Sequence, residues 1–178
     1  MIQGNRVRLR ALEKTDLPML VNWLNDPEVI EFLTFNQPLS LVQEENWFQK
    51  VLSGSPDEIP LGIEANVEGN WQLIGDTGFH SIHWVNRAAE IGILIGNKDF
   101  WNKGYGREAL QLMVRHAFDH LNLNRVFLRV LANHARGIAS YRHAGFVEEG
   151  RMRQAVFKNG RYIDVLFMSI IRQEWNPG

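Results

Sequence analysis

Two glycines, spaced one residue apart at the start of a long amphipathic run, constrain this chain more than any other feature. The run Ala89-Glu90-Ile91-Gly92-Ile93-Leu94-Ile95-Gly96 reads as a strand, and Trp101-Asn102-Lys103-Gly104-Tyr105-Gly106-Arg107-Glu108-Ala109 follows it and opens a helix. Glycines at a helix start leave several backbone N–H groups unobstructed and aimed at one point. The helix adds partial positive charge there, so the turn suits a phosphate or pyrophosphate.

The elements on either side set the fold class. Val7, Leu9 and Ala11 alternate with Arg6, Arg8 and Arg10, the period of a half-buried strand. Thr15 is placed to cap a short helix reaching about Asn25, and Ser40 with Gln43 forms a capping-box pattern for a helix to about Leu52. Leu61–Val67 and Trp71–His80 flank the turn Glu68-Gly69-Asn70, and Ala88–Ile95 completes a meander. The helix after the glycines buries Ala109, Leu110, Met113, Ala117 and Leu121 and wets Arg107, Gln111, Arg115 and Asp119. Arg125–Leu131 is an apolar strand, Asn133 opens a short helix ending at Gly145, and 146–158 and 161–171 form a hairpin about Asn159-Gly160. This order predicts one α+β domain over residues 1–178, with a mixed, mostly antiparallel, twisted sheet of about seven strands.

Composition narrows the function. The net charge is −1 with both signs interspersed, so no basic stripe supports nucleic acid. There is no Cys, which excludes disulfides, thiolate metal sites and a Cys nucleophile. No apolar run approaches membrane-spanning length and the start lacks a signal-peptide core, which leads us to expect a cytoplasmic protein without a membrane partner.

Gly104-x-Gly106-x-x-Ala109 formally satisfies a dinucleotide fingerprint. That motif needs its glycines directly behind a buried parallel strand and an acid ending the next strand. Here residues 97–103 intervene, and Leu128-Arg129-Val130-Leu131-Ala132-Asn133 carries no carboxylate. No Gly-x4-Gly-Lys-Ser/Thr occurs, so a Walker loop is absent.

Trp101-x-x-Gly104-x-Gly106 resembles the Arg/Gln-x-x-Gly-x-Gly/Ala turn of the GNAT N-acetyltransferases, with Trp at the Arg/Gln position. Asn133-x7-Tyr141-x3-Gly145-Phe146 is similar to that family's second coenzyme A-contacting stretch, with Gly137 where many members carry Ser. Residues 151–175 resemble the closing hairpin of the branch holding ribosomal-protein N-terminal and spermidine acetyltransferases. The resemblance implies helices on both faces of a sheet splayed between its fourth and fifth strands. It implies acetyl-CoA as cosubstrate, no metal, and direct transfer to a primary amine. The acceptor could be a protein N-terminus, a polyamine or another small amine. A non-catalytic acyl-CoA sensor of the same fold is the alternative.

Acetyl transfer needs a neutral amine, a donor for the thioester oxygen and a proton for the departing thiolate. By resemblance, Ile93, Leu94 and Ile95 offer main-chain partners to the pantetheine arm, with an N–H near Leu94 facing the oxyanion. The pyrophosphate sits on the amides of Lys103, Gly104, Tyr105, Gly106 and Arg107. Tyr141 is the candidate general acid; its alternative is a core aromatic. Glu90 is the candidate base, or else a partner of Arg87 or a solvated residue. Asn133 either contacts pantetheine or simply caps its helix. His116 and His120 lack a third metal ligand, and His80 and His83 with Trp84 end a strand, where they either line the acceptor cleft or serve only the strand end and loop. Asp26, Glu28 and Glu31 form either an acceptor wall or a solvated face. Spermidine-acetylating relatives are more acidic before the residue resembling Pro38, where this chain has Asn36 and Gln37, a difference that counts against a polyamine without excluding it. A sheet edge or the closing hairpin allows a homodimer.

Overall fold

The structure is a computed structural model that describes residues 1–35 and 37–176; Asn36 lies outside them, so the contrast drawn before Pro38 is not placed. Among the described residues, eight strands form a single sheet: β1 Ile2–Gln3, β2 Val7–Ala11, β3 Leu61–Val67, β4 Asn70–His83, β5 Ala88–Ile95, β6 Arg125–Leu131, β7 Val147–Lys158 and β8 Arg161–Ile171. Their spatial order is β1-β2-β3-β4-β5-β6-β8-β7. The two-residue β1 is the strand that periodicity cannot see, because alternation needs more than one repeat.

Turn chemistry sets the hairpins. Glu68 and Gly69 both take positive φ, 51° and 88°, as do Asn159 and Gly160, 50° and 75°. Two-residue loops of this hand match the twist of the strands they join. Every neighbouring pair is antiparallel except β5 and β6, which are parallel and touch only from Ala88–Glu90 to Arg125–Phe127. Beyond Glu90 the two strands part, giving the expected split.

Four α-helices among the described residues complete the fold: α1 Leu17–Leu24, α2 Leu41–Leu52, α3 Tyr105–Arg115 and α4 Ala135–His143. Ser40 Oγ accepts the Gln43 N–H at 3.2 Å and Gln43 Oε1 accepts the Ser40 N–H at 2.9 Å, the reciprocal cap expected for α2. Thr15 does not cap α1. A 3₁₀ turn over Lys14–Asp16 precedes that helix, and the Asp16 carboxylate accepts the Glu13 N–H at 2.8 Å while gripping Arg10.

α3 runs into a π-helical turn over His116–His120. It buries Ala109, Leu110, Leu112, Met113, Val114, Ala117 and Phe118 in the main core. Each large aliphatic side chain so buried contributes about 1.5–3 kcal/mol. Leu121, expected there, is only partly buried against it. A separate cluster of Leu12, Leu17, Leu20 and Phe48 joins α1 to α2. No helix among the described residues is long and apolar enough to cross a membrane.

Candidate active site

The parting of β5 from β6 opens a cavity of about 1530 Å³. One wall is the β5 edge, Ile93, Leu94 and Ile95; another is the turn into α3. That turn begins at Gly104, whose φ of 85° lies in the left-handed region that glycine adopts without strain. Glu108 N–H closes the first helical bond onto the Gly104 carbonyl at 3.1 Å. The amides of Tyr105, Gly106 and Arg107 have no acceptor among the described residues, and no side chain caps them. Lys103, Gly104, Gly106 and Arg107 line the cavity; the Tyr105 ring does not, packing edge-on to Phe100 at 5.1 Å with Arg6 over it at 4.7 Å.

Long-range contacts hold the turn. The Glu108 carboxylate accepts the Arg6 N–H at 2.7 Å and the Val7 N–H at 3.1 Å, and Arg6 Nη1 donates to the Lys103 carbonyl at 3.2 Å. Sequence reasoning missed this pairing because its partners stand about a hundred positions apart. Trp101, where the family turn carries Arg or Gln, donates Nε1–H to the Ile95 carbonyl at 2.6 Å and so ties the turn to the end of β5. Arg136 lies over the Trp101 ring at 3.8 Å and lines the cavity. With Lys103 and Arg107 it makes this end cationic. Free amides, a helix start and three cations fit a phosphate-bearing ligand.

Tyr141 projects from α4 into the same cavity, its ring 6.2 Å from that of Phe146. Burial pushes its phenol up to about 12, so it is protonated at neutral pH. Glu90 stands at the fork where β5 leaves β6 and also lines the cavity. It does not pair with Arg87. Arg129, two residues past the fork on β6, donates Nε–H at 2.7 Å and Nη2–H at 3.2 Å to its two oxygens. Asn133 is exposed and absent from the lining, and the N-cap of α4 is His134 rather than Asn133.

His134 itself was not foreseen. Its ring stacks on Phe32 at 4.0 Å, and its Nδ1 is buried without a partner among the described residues. Burial lowers its pKa to about 4, so it stays neutral. A Cβ at Gly137 would lie 2.3 Å from its Cδ2, so glycine at this position gives the ring its place.

The early acidic cluster is partly neutralised: Lys98 Nζ meets Asp26 at 2.8 Å and Glu28 at 2.6 Å. His80 lines the cavity, whereas His83 accepts the Asn86 N–H at 3.2 Å and Trp84 is exposed. His116 and His120 stack at 5.3 Å, and no three metal-binding side chains gather among the described residues.

The acetyltransferase (GNAT) domain profile matches residues 6–147. The chain belongs to the GNAT acetyltransferase family. It is 30% identical over 175 residues to an uncharacterized N-acetyltransferase, p20, of Bacillus licheniformis, covering 96% of this chain and 95% of that one. It is 28% identical over 173 residues to the spermidine N(1)-acetyltransferase of Vibrio cholerae, covering 97% and 96%. A crystal structure of spermidine N-acetyltransferase from Vibrio cholerae, in complex with CoA and spermine, superposes with a TM-score of 0.87 at 28% identity, covering 96% and 98%. The protein is thus an N-acetyltransferase that uses acetyl-CoA to acetylate an amine, and its fold is the mixed, mostly antiparallel sheet expected.

Proposed function

We propose that the enzyme acetylates a small aliphatic primary amine, with the reacting groups meeting where β5 and β6 diverge. The observation that carries this reading is the opening of three elements onto one cavity: the free amides of α3, the unpaired edge of β5 and the Tyr141 phenol. The Vibrio cholerae relative bound to CoA and spermine supports a small amine over a protein N-terminus.

Acetyl-CoA supplies an activated acetyl thioester; its carbon–sulfur bond breaks as the carbon–nitrogen bond to the amine forms. The amides of residues 103–107 hold the diphosphate, with Lys103, Arg107 and Arg136 offsetting its charge. Main-chain groups of Ile93, Leu94 and Ile95 align the arm as an added strand, and an N–H near Leu94 faces the carbonyl oxygen. Tyr141, kept protonated by burial, gives its proton to the departing sulfur. Glu90 takes the amine's proton through water, since Arg129 occupies both of its oxygens. Asn133 stays outside this scheme because it does not reach the cavity.

A cytoplasmic setting and a homodimer belong to the same reading. β7 is a long strand at the rim of the sheet, exposed almost throughout, with Val147, Met152 and Phe157 outward. Release of free thiol from acetyl-CoA across an amine panel tests the reaction. Amine-dependent release is expected. Tight CoA binding with no release would favour a sensor and contradict the assignment.

A further inference from the structure

In the cavity wall, the half-buried Asp76 on β4 and the buried Glu44 on α2 both contribute to the lining. Asp76 lies directly across the ladder from Leu94, one strand in from the free edge of β5. Glu44 is only 5% exposed, on a helix whose other inward residue is Phe48. Neither carboxylate has a hydrogen-bond donor or a cation among the described residues. The other acids nearby are engaged: Glu58 accepts the Ile82 N–H at 2.7 Å, and Glu90 is held by Arg129. Burying a carboxylate without a partner is costly, and two facing each other cost more. A fold that keeps both uncompensated has left a place for a cation.

We propose that Asp76 and Glu44 form the subsite for a second ammonium of the acceptor, so that the preferred acceptor is an aliphatic diamine or the diamine end of a polyamine. The inference rests on the acetyltransferase reading of the cavity and deepens it. The reacting nitrogen must lie over the β5 edge near Leu94; Asp76 belongs to the next strand, whose backbone runs about 4.8 Å from that of β5, and Glu44 comes to the same cavity from α2. A spacer of roughly three or four methylenes spans such a separation. Proximity supports the pairing too: burial and the neighbouring Glu44 raise the Asp76 carboxyl to about 7, and an ammonium between the two acids would reverse that. His80 lines the cavity as a further polar wall.

The test compares putrescine with propylamine, which lacks the second charge, using wild type, Asp76→Asn and Glu44→Gln. Wild type should favour putrescine in kcat/KM, and each variant should shrink that ratio about 10- to 100-fold, as loss of a charged hydrogen bond implies. A ratio that both variants leave unchanged overturns the subsite. Calorimetric titration of putrescine into the CoA-bound protein gives a readout independent of turnover. If wild type acetylates no amine but binds putrescine and the variants do not, the reaction is wrong and the subsite stands. If binding is equal in all three, the subsite is wrong whatever the activity. Asp76→Asn should fold, since it removes a repulsive charge rather than a contact.

Discussion

Replacing Asp76 with Asn should make the ligand-free protein more stable, and by more as the pH rises. In the folded chain this carboxyl titrates at about 7 against 3.8 for an unperturbed aspartate. A carboxyl whose folded value is raised binds its proton more tightly in the native state. Its relative stabilisation is complete below the unfolded value and is lost as pH climbs through the folded one. The difference of roughly three units corresponds to about 4 kcal/mol of lost stability above pH 8, at about 1.36 kcal/mol per unit. Less than half of that loss has accrued by pH 5. Water at the cavity wall screens the charge, which reduces the expected gain for Asp76→Asn at pH 8 to about 1–3 kcal/mol. The introduced amide can itself be hydrated there. Urea unfolding of both proteins at pH 5 and pH 8, without ligand, measures the two gaps. A variant no more stable than wild type at pH 8, or a gap independent of pH, would refute the argument that this acid is held in the cavity wall without a compensating partner.

Tyr141→Phe should lower turnover by about 10²- to 10⁴-fold at saturating substrates, the usual range for a lost general acid, with CoA affinity retained. Unchanged kcat in that variant removes the proton-donor role. Lys158 is buried, and its Nζ donates to the carbonyls of Ile30 at 2.8 Å, Leu33 at 2.5 Å and Phe35 at 3.3 Å, clasping the closing hairpin to the segment before α2. Lys158→Met should cost about 1.5–3 kcal/mol in urea unfolding and raise the acceptor KM, because Leu33 and Phe35 line the cavity. A stable variant with normal acceptor kinetics would show that the clasp does not shape the site.

What the sequence revealed and what it hid follow from the range of each interaction. The α2 cap, the two glycine hairpins and the turn at Gly104 are local, so neighbouring residues announce them. Thr15 misled because Asp16, one residue on, pairs with Arg10 back on β2 and accepts the Glu13 N–H, which makes it the better anchor. The split between β5 and β6 and the place of Tyr141 came through family spacing rather than periodicity, which cannot say which strands pair. Glu90 was visible as a candidate, but its clamp by Arg129 depends on a parallel register that only the folded sheet supplies. Asp76 and Glu44 escaped notice for the same reason: each reads as an isolated acid in a mixed segment, and only the folded chain brings them to one cavity. His134 carried no signal, since a histidine before a helix is ordinary until Phe32 is found stacked on it.

Amide chemical shifts recorded while CoA is titrated into the protein probe the phosphate grip most directly. The largest shifts should fall on Gly104 to Arg107, with a second set on Ile93 to Ile95. Binding that leaves the Gly104–Arg107 amides unmoved would contradict the account at its base.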